Sequence, residues 1–457
     1  MFFQQLKTPG LGCFSYIIGC PKSGMAAVVD PRRDIDEYLD VAKQNNMRIT
    51  HIFETHIHAD HVSGAWELRR ATGAPIHIHE SAPVEYEADT VKHGDYFHLG
   101  GAGIRVLHTP GHTPNSISLL VADLVRSTEP EMILTGDLLF VGDTGRPDLP
   151  GEEILDEQVL NLYESLNSTI GALPNHLEVY PAHGQGSLCG SGMSAKPHST
   201  LGYERIANRR LRLKDFDAFK QDVLSNLPMR PQSFSHIIAT NLRGAPLLPC
   251  CDKKNLGLGA EEVEDLRKQG AVVLDLRDSL CFSGAHIPGS INVDASEHSP
   301  INWVGTVVAP GSRLVLVLDG RSDIGDVLTE LRRIGYDDVL GYLEGGIQAW
   351  IAKGFDIARL PRVSSLALRE RLSGPNPPRI IDVRTPAEFA ESSIPGSTNM
   401  PFDVILSHNA CPQEPEQETV IVCQSGYRAA IAASLLQERG CVRVSAMAGG
   451  YALLKNI

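Results

Sequence analysis

The sequence lacks the features that place a protein in a membrane or outside the cell. No apolar run approaches the roughly 18 residues of a transmembrane helix, and the stretch from Met1 to Gly10 has no basic segment followed by an apolar one. No C-x-x-C pair is present, so a structural zinc ribbon has no ligands. Low-complexity tracts are absent as well. We therefore expect a globular protein of the cytoplasm that does not bind membranes.

Basic residues are scarce relative to acidic ones. The chain has 41 Lys and Arg against 55 Asp and Glu, a formal net charge of −14. Such a charge repels nucleic acid and anionic lipid, so we expect neither as a partner. Cysteines are few and odd in number, nine in 457 residues, and we expect them to be free thiols. The length exceeds what one hydrophobic core supports, which predicts several domains.

Four predicted strands of the first half end next to histidine or aspartate. Short β-branched runs alternate with polar loops there, a pattern typical of an α/β fold. The residues beyond these strand ends are His56, His58, Asp60 and His61, then His112, then Asp137, and finally His183. Loops that leave strand ends can converge, and Gly111 and Gly136 permit tight turns. Imidazole and carboxylate groups in this arrangement predict a site for a divalent metal.

These residues form an H-x-H-x-D-H motif followed by a distant His, Asp and His, which resembles the series of the metallo-β-lactamase superfamily. The resemblance covers residues 1–245 and implies an αββα sandwich. Members of this superfamily include dinuclear zinc thioester hydrolases, β-lactamases, flavodi-iron proteins and persulfide dioxygenases, so fold alone does not name the reaction. The strings T-H-I-H-A-D-H-V-S-G at 55–64 and G-R-P-D at 145–148 are similar to those of the persulfide dioxygenases.

Resemblance to that family implies a single Fe(II) per chain, held by His56, His112 and Asp137. Two imidazoles and one carboxylate leave positions open on the ion for a sulfur ligand and for dioxygen. Four further residues are expected to orient these ligands, or to hold a second metal as in the hydrolases: His58, Asp60, His61 and His183.

Two more residues of this domain are candidates for handling the substrate. Arg146 is expected to bind a substrate carboxylate, since glutathione has two, with a structural ion pair to Asp148 as the alternative. Cys189 lies six residues past His183 and is a candidate for relaying sulfane sulfur, with a small buried thiol as the alternative. The sequence leaves both alternatives open.

The second half of the chain repeats itself. Residues from about 241 to 259 show no apolar periodicity and predict a connection. Two similar segments follow, at 258–356 and 362–457. Near the start of each copy an Asp and a Pro lie 13 residues apart, at Asp275 and Pro288 and again at Asp382 and Pro395. Further on, a spacing of 26 residues recurs, from Asp319 to Gly345 and from Cys423 to Gly449. Equal intervals predict one fold used twice.

The last copy carries a candidate catalytic cysteine. Strands that lead into helices predict a doubly wound α/β sheet, and the D-V-R, I-P-G and C-x-x-G-x-R sequences resemble rhodanese, a sulfurtransferase. Cys423 lies between a strand and a helix start, where backbone N–H groups and Arg428 favour a thiolate or persulfide. Only four residues separate the two, fewer than in the C-x5-R loop of cysteine phosphatases. We expect Cys423 and Arg428 to be catalytic.

The earlier copy lacks this cysteine. Asp319 and Ile324 stand where Cys423 and Arg428 stand in the last copy. A carboxylate cannot carry sulfane sulfur, and Cys281 lies at a different point of the module. We therefore expect the middle domain to be inactive and to serve as a spacer or docking surface.

The combination of domains favours persulfide chemistry, because a rhodanese either consumes or supplies a persulfide. The resemblance implies that a low-molecular-weight persulfide, glutathione persulfide first, reacts with O2 and water to give thiol and sulfite. The rhodanese step would link persulfide, thiosulfate and sulfite in sulfide detoxification. One alternative is a dinuclear zinc thioester hydrolase of glyoxalase II type fused to a sulfurtransferase, and another is a non-enzymatic sulfur-sensing or scaffold protein. The sequence does not choose the thiol and leaves a homo-oligomer open.

Overall fold

The computed structural model describes residues 1–8, 10–225, 227–248, 256–296, 300–320, 322–407 and 418–454. The chain divides into two units, Met1–Cys250 with Thr329–Gly335 and Cys251–Leu328 with Tyr336–Ile457. Among the helices of the described ranges, none is long and apolar enough to cross a membrane.

The first unit contains two six-stranded sheets. The first sheet has, in order across it, β1 (Phe2–Lys7), β2 (Phe14–Cys20), β3 (Met25–Val29), β4 (Arg48–Phe53), β5 (Ile76–His79) and β6 (Asp89–Val91). The second has β7 (Tyr96–Leu99), β8 (Ala102–His108), β9 (Ile117–Asp123), β10 (Met132–Gly136), β11 (Glu178–Pro181) and β12 (Ser199–Thr200), with β12 and β7 at its edges. The central strands are rich in β-branched residues, which suit a pleated sheet buried on both faces.

Helices cover the outer faces of the two sheets. They are α1 (Asp36–Gln44), α2 (Ala65–Thr72), α3 (Leu155–Glu164), α4 (Leu201–Ala207), α5 (Arg209–Arg212), α6 (Phe216–Ser225) and α7 (Ser233–Arg243), with a 3-10 turn at Glu152–Ile154 and a π-helical turn at Ser165–Thr169. Tyr38 of α1 and Leu68 of α2 belong to a buried cluster with Ile52 of the first sheet. Leu162 of α3 packs in the same way with Ile133 of the second sheet.

A separate apolar core lies between the sheets. Tyr16 and Phe53 from the first sheet share one buried cluster with Ile104 and Leu119 from the second. Alternate residues of each strand therefore face this core, and the others face the helices. The resulting helix, sheet, sheet and helix layers confirm the expected αββα sandwich.

Beyond residue 256 the chain forms two five-stranded parallel sheets of one topology. The first contains β13 (Gly257–Leu258), β14 (Val272–Asp275), β15 (Ile291–Asn292), β16 (Leu314–Val317) and β17 (Val339–Leu343), with α8 (Ala260–Lys268), α9 (Ser279–Gly284), α10 (Pro300–Val307), α11 (Ile324–Arg333) and α12 (Gly346–Ala352). The second contains β18 (Arg362–Val363), β19 (Arg379–Asp382), β20 (Thr398–Asn399), β21 (Thr419–Val422) and β22 (Val444–Met447), with α13 (Ser365–Leu372), α14 (Pro386–Glu391), α15 (Phe402–Ser407), α16 (Tyr427–Glu438) and α17 (Gly450–Leu454). The strand orders, β13-β17-β16-β14-β15 and β18-β22-β21-β19-β20, are equivalent.

The repeated Asp-x-Arg motif has the same structural role in both copies. Arg277 Nη2 lies 2.6 Å from Asp275 Oδ2, and Arg384 Nη2 lies 2.7 Å from Asp382 Oδ2. Each arginine also donates to a carbonyl eight residues further on, at 2.9 and 2.7 Å. Each pair is buried and joins the end of a strand to the following loop. The prediction of one doubly wound fold used twice is confirmed.

Two expectations from the sequence need correction. The predicted connection is shorter than expected, because α7 continues to Arg243 and β13 already begins at Gly257. Residues 249–255 of that connection, Cys250 and Cys251 among them, lie outside the described residues, as does Cys411. The described free cysteines are Cys13, Cys20, Cys189, Cys281 and Cys423. Cys441 is disulfide-bonded, so the expectation of free thiols is wrong at that position.

Candidate functional site

Four strand ends bring the predicted metal-site residues together. His56 follows β4 of the first sheet, whereas His112, Asp137 and His183 follow β8, β10 and β11 of the second. At Gly136, φ is 51° and a Cβ would lie 2.8 Å from Thr55 Oγ1, so the turn before Asp137 requires glycine. His56, His112 and Asp137 are buried, and one ligand atom from each lies within 4.8 Å of the others.

Three atoms of this group face one another without a hydrogen-bond partner. His112 Nε2 lies 3.4 Å and His56 Nε2 lies 3.9 Å from Asp137 Oδ2. All three atoms are buried and unpartnered. Each such atom costs about 1–3 kcal/mol, so three at one point are unfavourable unless something binds there. A divalent cation would satisfy all three at once, and these residues therefore fit a metal.

The second nitrogen of each imidazole is a hydrogen-bond donor. His112 Nδ1 donates to the Arg146 carbonyl at 2.8 Å. His56 Nδ1 donates to Thr55 Oγ1 at 3.0 Å, because the threonine hydroxyl donates its own proton to Asp30 at 2.8 Å. Burial lowers the pKa of both histidines, and the charge of a neighbouring histidine lowers the pKa of His56 further. Both imidazoles are therefore neutral, with the Nε2 lone pair directed into the site.

His183 bridges two carboxylates. Its Nδ1 lies 2.5 Å from Asp137 Oδ1, and its Nε2 lies 2.8 Å from Asp60 Oδ2. Burial alone would lower the pKa of His183, but Asp137 and Asp60 raise it well above its usual value. The protonated ring donates to both carboxylates and so turns Asp137 with its free Oδ2 toward the two neutral imidazoles.

A second buried group, the Cys13 cluster, consists of Cys13, Asp60, His61 and His183. Its members are joined through Asp60, which is hydrogen-bonded to the other three. Cys13 Sγ donates to Asp60 Oδ2 at 3.0 Å, and His61 Nδ1 lies 3.1 Å from Asp60 Oδ1. Burial and the Asp60 charge raise the pKa of the Cys13 thiol, which keeps it protonated. Sequence reasoning missed Cys13 because no motif contains it. An isolated β-bridge between Cys13 and His183 brings it to the site.

His58 faces a separate pair of carboxylates. Its Nε2 lies 3.2 Å from both Asp30 Oδ1 and Glu54 Oε2. Burial lowers the pKa of His58, but these two carboxylates outweigh it and raise the pKa to about 10. The other nitrogen, Nδ1, is buried and unpartnered, yet His58 is not a member of the group formed by His56, His112 and Asp137. Sequence reasoning missed Asp30 and Glu54, which precede the motif and belong to no spacing rule.

Arg146 is already engaged within the protein. Its side chain is 2% exposed and donates to Asp148 through two bonds of 2.7 Å. This geometry matches the structural ion pair that the sequence left open, and carboxylate binding by Arg146 stays a prediction.

Cys189 is buried beside Asp137 and His183. Burial raises the pKa of its thiol to about 12, so it is protonated at neutral pH, and the sulfur relay also stays a prediction.

Cys423 lies at the end of β21, in the turn before α16. Its side chain is buried, and Sγ accepts the backbone N–H groups of Gly426 at 3.1 Å and Ala429 at 3.3 Å. Gly426 has a φ of 100°, which lets the chain turn its N–H inward before the helix begins. The loop therefore has the inward-pointing donors that the sequence predicted.

Arg428 is paired with a carboxylate that sequence reasoning missed. Its Nη1 lies 2.9 Å from Glu388 Oε2, and its Nη2 lies 2.7 Å from Glu388 Oε1. Burial raises the pKa of Glu388, but Arg428 and hydrogen bonds from Thr385 outweigh it and lower the pKa to about 2. Glu388 also accepts the Thr385 N–H at 2.9 Å. The T-x-x-E capping box places Glu388 at a helix start, but nothing local predicts a partner 40 residues away.

The corresponding position of the middle domain holds a carboxylate. Asp319 Oδ1 accepts the N–H and the hydroxyl of Ser322 at 3.0 and 3.1 Å. A cavity of about 860 Å³ opens there, lined in part by Asp319, Ile324 and the exposed thiol of Cys281. The inactivity of this domain stays a prediction.

Comparison with protein families matches residues 8–183 to the metallo-beta-lactamase superfamily and residues 259–353 and 365–456 to the rhodanese-like domain. The chain is 32% identical over 192 residues to a hydroxyacylglutathione hydrolase of Nitrosococcus oceani, a match that covers 40% of this chain and 66% of that protein. It is 27% identical over 255 residues to a mitochondrial persulfide dioxygenase of Bos taurus, which covers 53% of this chain and 88% of that protein.

A solved structure extends the likeness beyond the first domain. The crystal structure of a metallo-beta-lactamase from Staphylococcus aureus superposes with a TM-score of 0.65 at 32% identity, and covers 75% of this chain and 98% of that one. Together with the αββα sandwich and the metal-site geometry, this shows that the chain belongs to the metallo-beta-lactamase superfamily and carries two rhodanese-like domains.

Proposed function

We propose that this chain is a persulfide dioxygenase fused to a sulfurtransferase. It would oxidise a low-molecular-weight persulfide, with glutathione persulfide as the first candidate, using one O2 and one water to give thiol and sulfite. One observation carries the proposal. Three unpartnered atoms converge at His56, His112 and Asp137, whereas Cys13, Asp60 and His183 of the neighbouring Cys13 cluster are hydrogen-bonded to one another. This contrast supports one metal ion rather than two.

The ligand set favours iron. Two histidines and one carboxylate on one side of an ion are typical of Fe(II) oxygenases. When bound, Fe(II) would supply adjacent open positions at which a persulfide sulfur and dioxygen react. The protein's part is to hold the three ligands rigidly. The Arg146 carbonyl holds His112, Thr55 holds His56, and His183 holds Asp137.

The last domain would move sulfur through Cys423. The outer sulfur of thiosulfate bonds to Cys423 Sγ as its bond to the sulfite sulfur breaks, which leaves a cysteine persulfide and sulfite. A thiol then takes the outer sulfur as its own persulfide and regenerates the Cys423 thiolate. The N–H groups of Gly426 and Ala429 stabilise the anionic sulfur at each stage. The reverse direction uses the same groups.

A dinuclear zinc thioester hydrolase is the second candidate. It is favoured by the 32% identity to a hydroxyacylglutathione hydrolase and by the unpartnered Nδ1 of His58. A second metal at Asp60, His61 and His183 would, however, displace the proton that Cys13 shares with Asp60 and the one that His183 shares with Asp60. The Cys13 cluster therefore weighs against this candidate.

Metal content and oxygen uptake test the proposal. The full chain is purified without oxygen, its metals are counted by mass spectrometry, and O2 uptake with glutathione persulfide is compared with hydrolysis of S-lactoylglutathione. One iron per chain with persulfide-dependent uptake supports the dioxygenase. Two zinc ions with thioester hydrolysis and no uptake would refute it.

Two variants assign each activity to its domain. His56→Ala is expected to lose iron and O2 uptake but to keep thiosulfate:cyanide sulfur transfer. Cys423→Ser is expected to show the opposite pattern. Loss of both activities in either variant contradicts this division.

A further inference from the structure

A cavity of about 390 Å³ lies beside the candidate metal centre. Its wall includes Ile57, which lies between His56 and His58 in the chain, and Thr113, which follows His112. The volume falls within the roughly 300–1,000 Å³ of small-molecule sites. The cavity is therefore placed to hold the part of a substrate that extends away from the reacting sulfur.

The wall of this cavity is mainly apolar and contains one cation. Its apolar residues are Ile57, Ala59, Pro83, Pro114, Leu149, Pro150, Ile238 and Leu242. Arg230 is the only charged residue among the described residues that line it. Its Nη2 donates to Ser235 Oγ at 3.1 Å, and within the described ranges no carboxylate forms an ion pair with it. A guanidinium without a carboxylate, at the wall of an apolar cavity, favours an anionic ligand group.

Arg146, the residue expected to bind a substrate carboxylate, differs from Arg230 in this respect. Arg146 is 2% exposed, its Nη2 donates to Asp148, and its Nη1 donates to the Leu188 carbonyl. Arg230 is exposed and keeps most of its five N–H donors available. The chain has a net charge of −14, which disfavours anion binding in general, so an arginine without a carboxylate partner is a favourable place for an anionic group.

We propose that Arg230 binds the anionic end of the thiol carrier, so that the substrate class is the persulfide of an anionic thiol. The inference deepens the proposed function and rests on it for the identity of the reacting group. A carboxylate and a phosphate both match a guanidinium, so the shared chemistry is an oxyanion remote from the sulfur. Arg230 acts on specificity and does not touch the reacting atoms.

Binding of unreacted thiols tests this without any turnover. Isothermal titration calorimetry on the full chain compares glutathione, which has carboxylates, coenzyme A, which has phosphates, and 2-mercaptoethanol, which has no charge. Arg230→Gln is expected to weaken binding of at least one anionic thiol roughly tenfold or more, as for loss of a charge-assisted hydrogen bond. Arg230→Lys should keep part of the affinity, and binding of 2-mercaptoethanol should not change. Arg243→Gln is the matched control, because Arg243 is an exposed arginine of α7 that does not line the cavity.

The outcomes separate the ligand sources and the two proposals. Weakening with glutathione alone identifies a carboxylate, and weakening with coenzyme A alone identifies a phosphate. The assignment is overturned if Arg230→Gln binds both anionic thiols as the wild type does, if the neutral thiol loses affinity equally, or if the wild type binds neither. If the wild type shows the Arg230-dependent binding but consumes no O2 with any persulfide, the proposed function fails while this assignment stands. If it does consume O2, the KM for the anionic persulfide should rise in Arg230→Gln with kcat unchanged.

Discussion

Replacing Asp148 by asparagine is expected to destabilise the first domain and also to weaken metal binding at the candidate site. Asp148 is the partner of Arg146, whose side chain is 2% exposed and whose carbonyl accepts the His112 Nδ1 proton. The substitution leaves a buried guanidinium without its countercharge. It also loosens the backbone that orients His112. One change therefore acts on stability and on the metal ligand through the same residue.

The size of the effect follows from the burial of the pair. Breaking a buried ion pair by removing one partner costs about 3–5 kcal/mol. Asp148 remains 20% exposed and asparagine keeps one acceptor, so we expect the lower end, about 3 kcal/mol. For a unit of this size, roughly 2–4 °C of melting temperature are lost per kcal/mol, which gives a decrease of about 6–12 °C. Disturbed support of a metal ligand typically weakens metal affinity by about 10–100-fold.

Both effects are measured on the full chain. Thermal unfolding is followed by hydrogen exchange of peptides from β8 to β10, which reports on this unit alone, and Fe(II) affinity is measured anaerobically against a chelator. The matched control is Asp156→Asn, because Asp156 is 80% exposed and its ion pair with Lys220 should contribute less than about 1 kcal/mol. Equal melting temperatures for the two variants, or unchanged Fe(II) affinity in Asp148→Asn, would refute the reasoning.

Two further predictions concern the last domain. Arg428 and the hydrogen bonds from Thr385 together lower the pKa of Glu388 from 4.5 to about 2, so these contacts stabilise the domain fully above about pH 4.5, and their contribution disappears as the pH falls toward 2. Glu388→Gln should therefore reduce the acid sensitivity of unfolding in that interval, and an unchanged profile contradicts the pairing. Gly426→Ala should slow thiosulfate:cyanide transfer more than Gly440→Ala, because both residues have positive φ but only at Gly426 would a Cβ meet backbone, 3.1 Å from Gly449 N. Equal rates in the two variants would show that the loop geometry at Gly426 does not affect sulfur transfer.

The strands that carry the metal-site residues were readable from the sequence. β8 and β10 are largely buried, β4 and β11 are partly buried, and each is followed within four residues by a ligand candidate. Sequence patterns missed β1, β6, β7 and β12, which are the edge strands of the two sheets. An edge strand is partly exposed and so needs no continuous apolar pattern, which is why periodicity does not detect it. The repeat in the second half was detected because the middle domain keeps the same spacing between motifs, although Asp319 stands in place of the cysteine.

The sequence by itself therefore determined the αββα and doubly wound folds, the candidate metal residues and the candidate catalytic cysteine, Cys423. Only the tertiary structure decided their partners. Cys13 meets Asp60 across 47 residues, Glu388 meets Arg428 across 40, and Arg230 rather than Arg146 lines the cavity with its charge unpaired. Local patterns specify strands and helices because hydrogen bonding and burial repeat with a short period. Side-chain partners distant in the chain depend on how packed elements bring their loops together, and no local period records that arrangement.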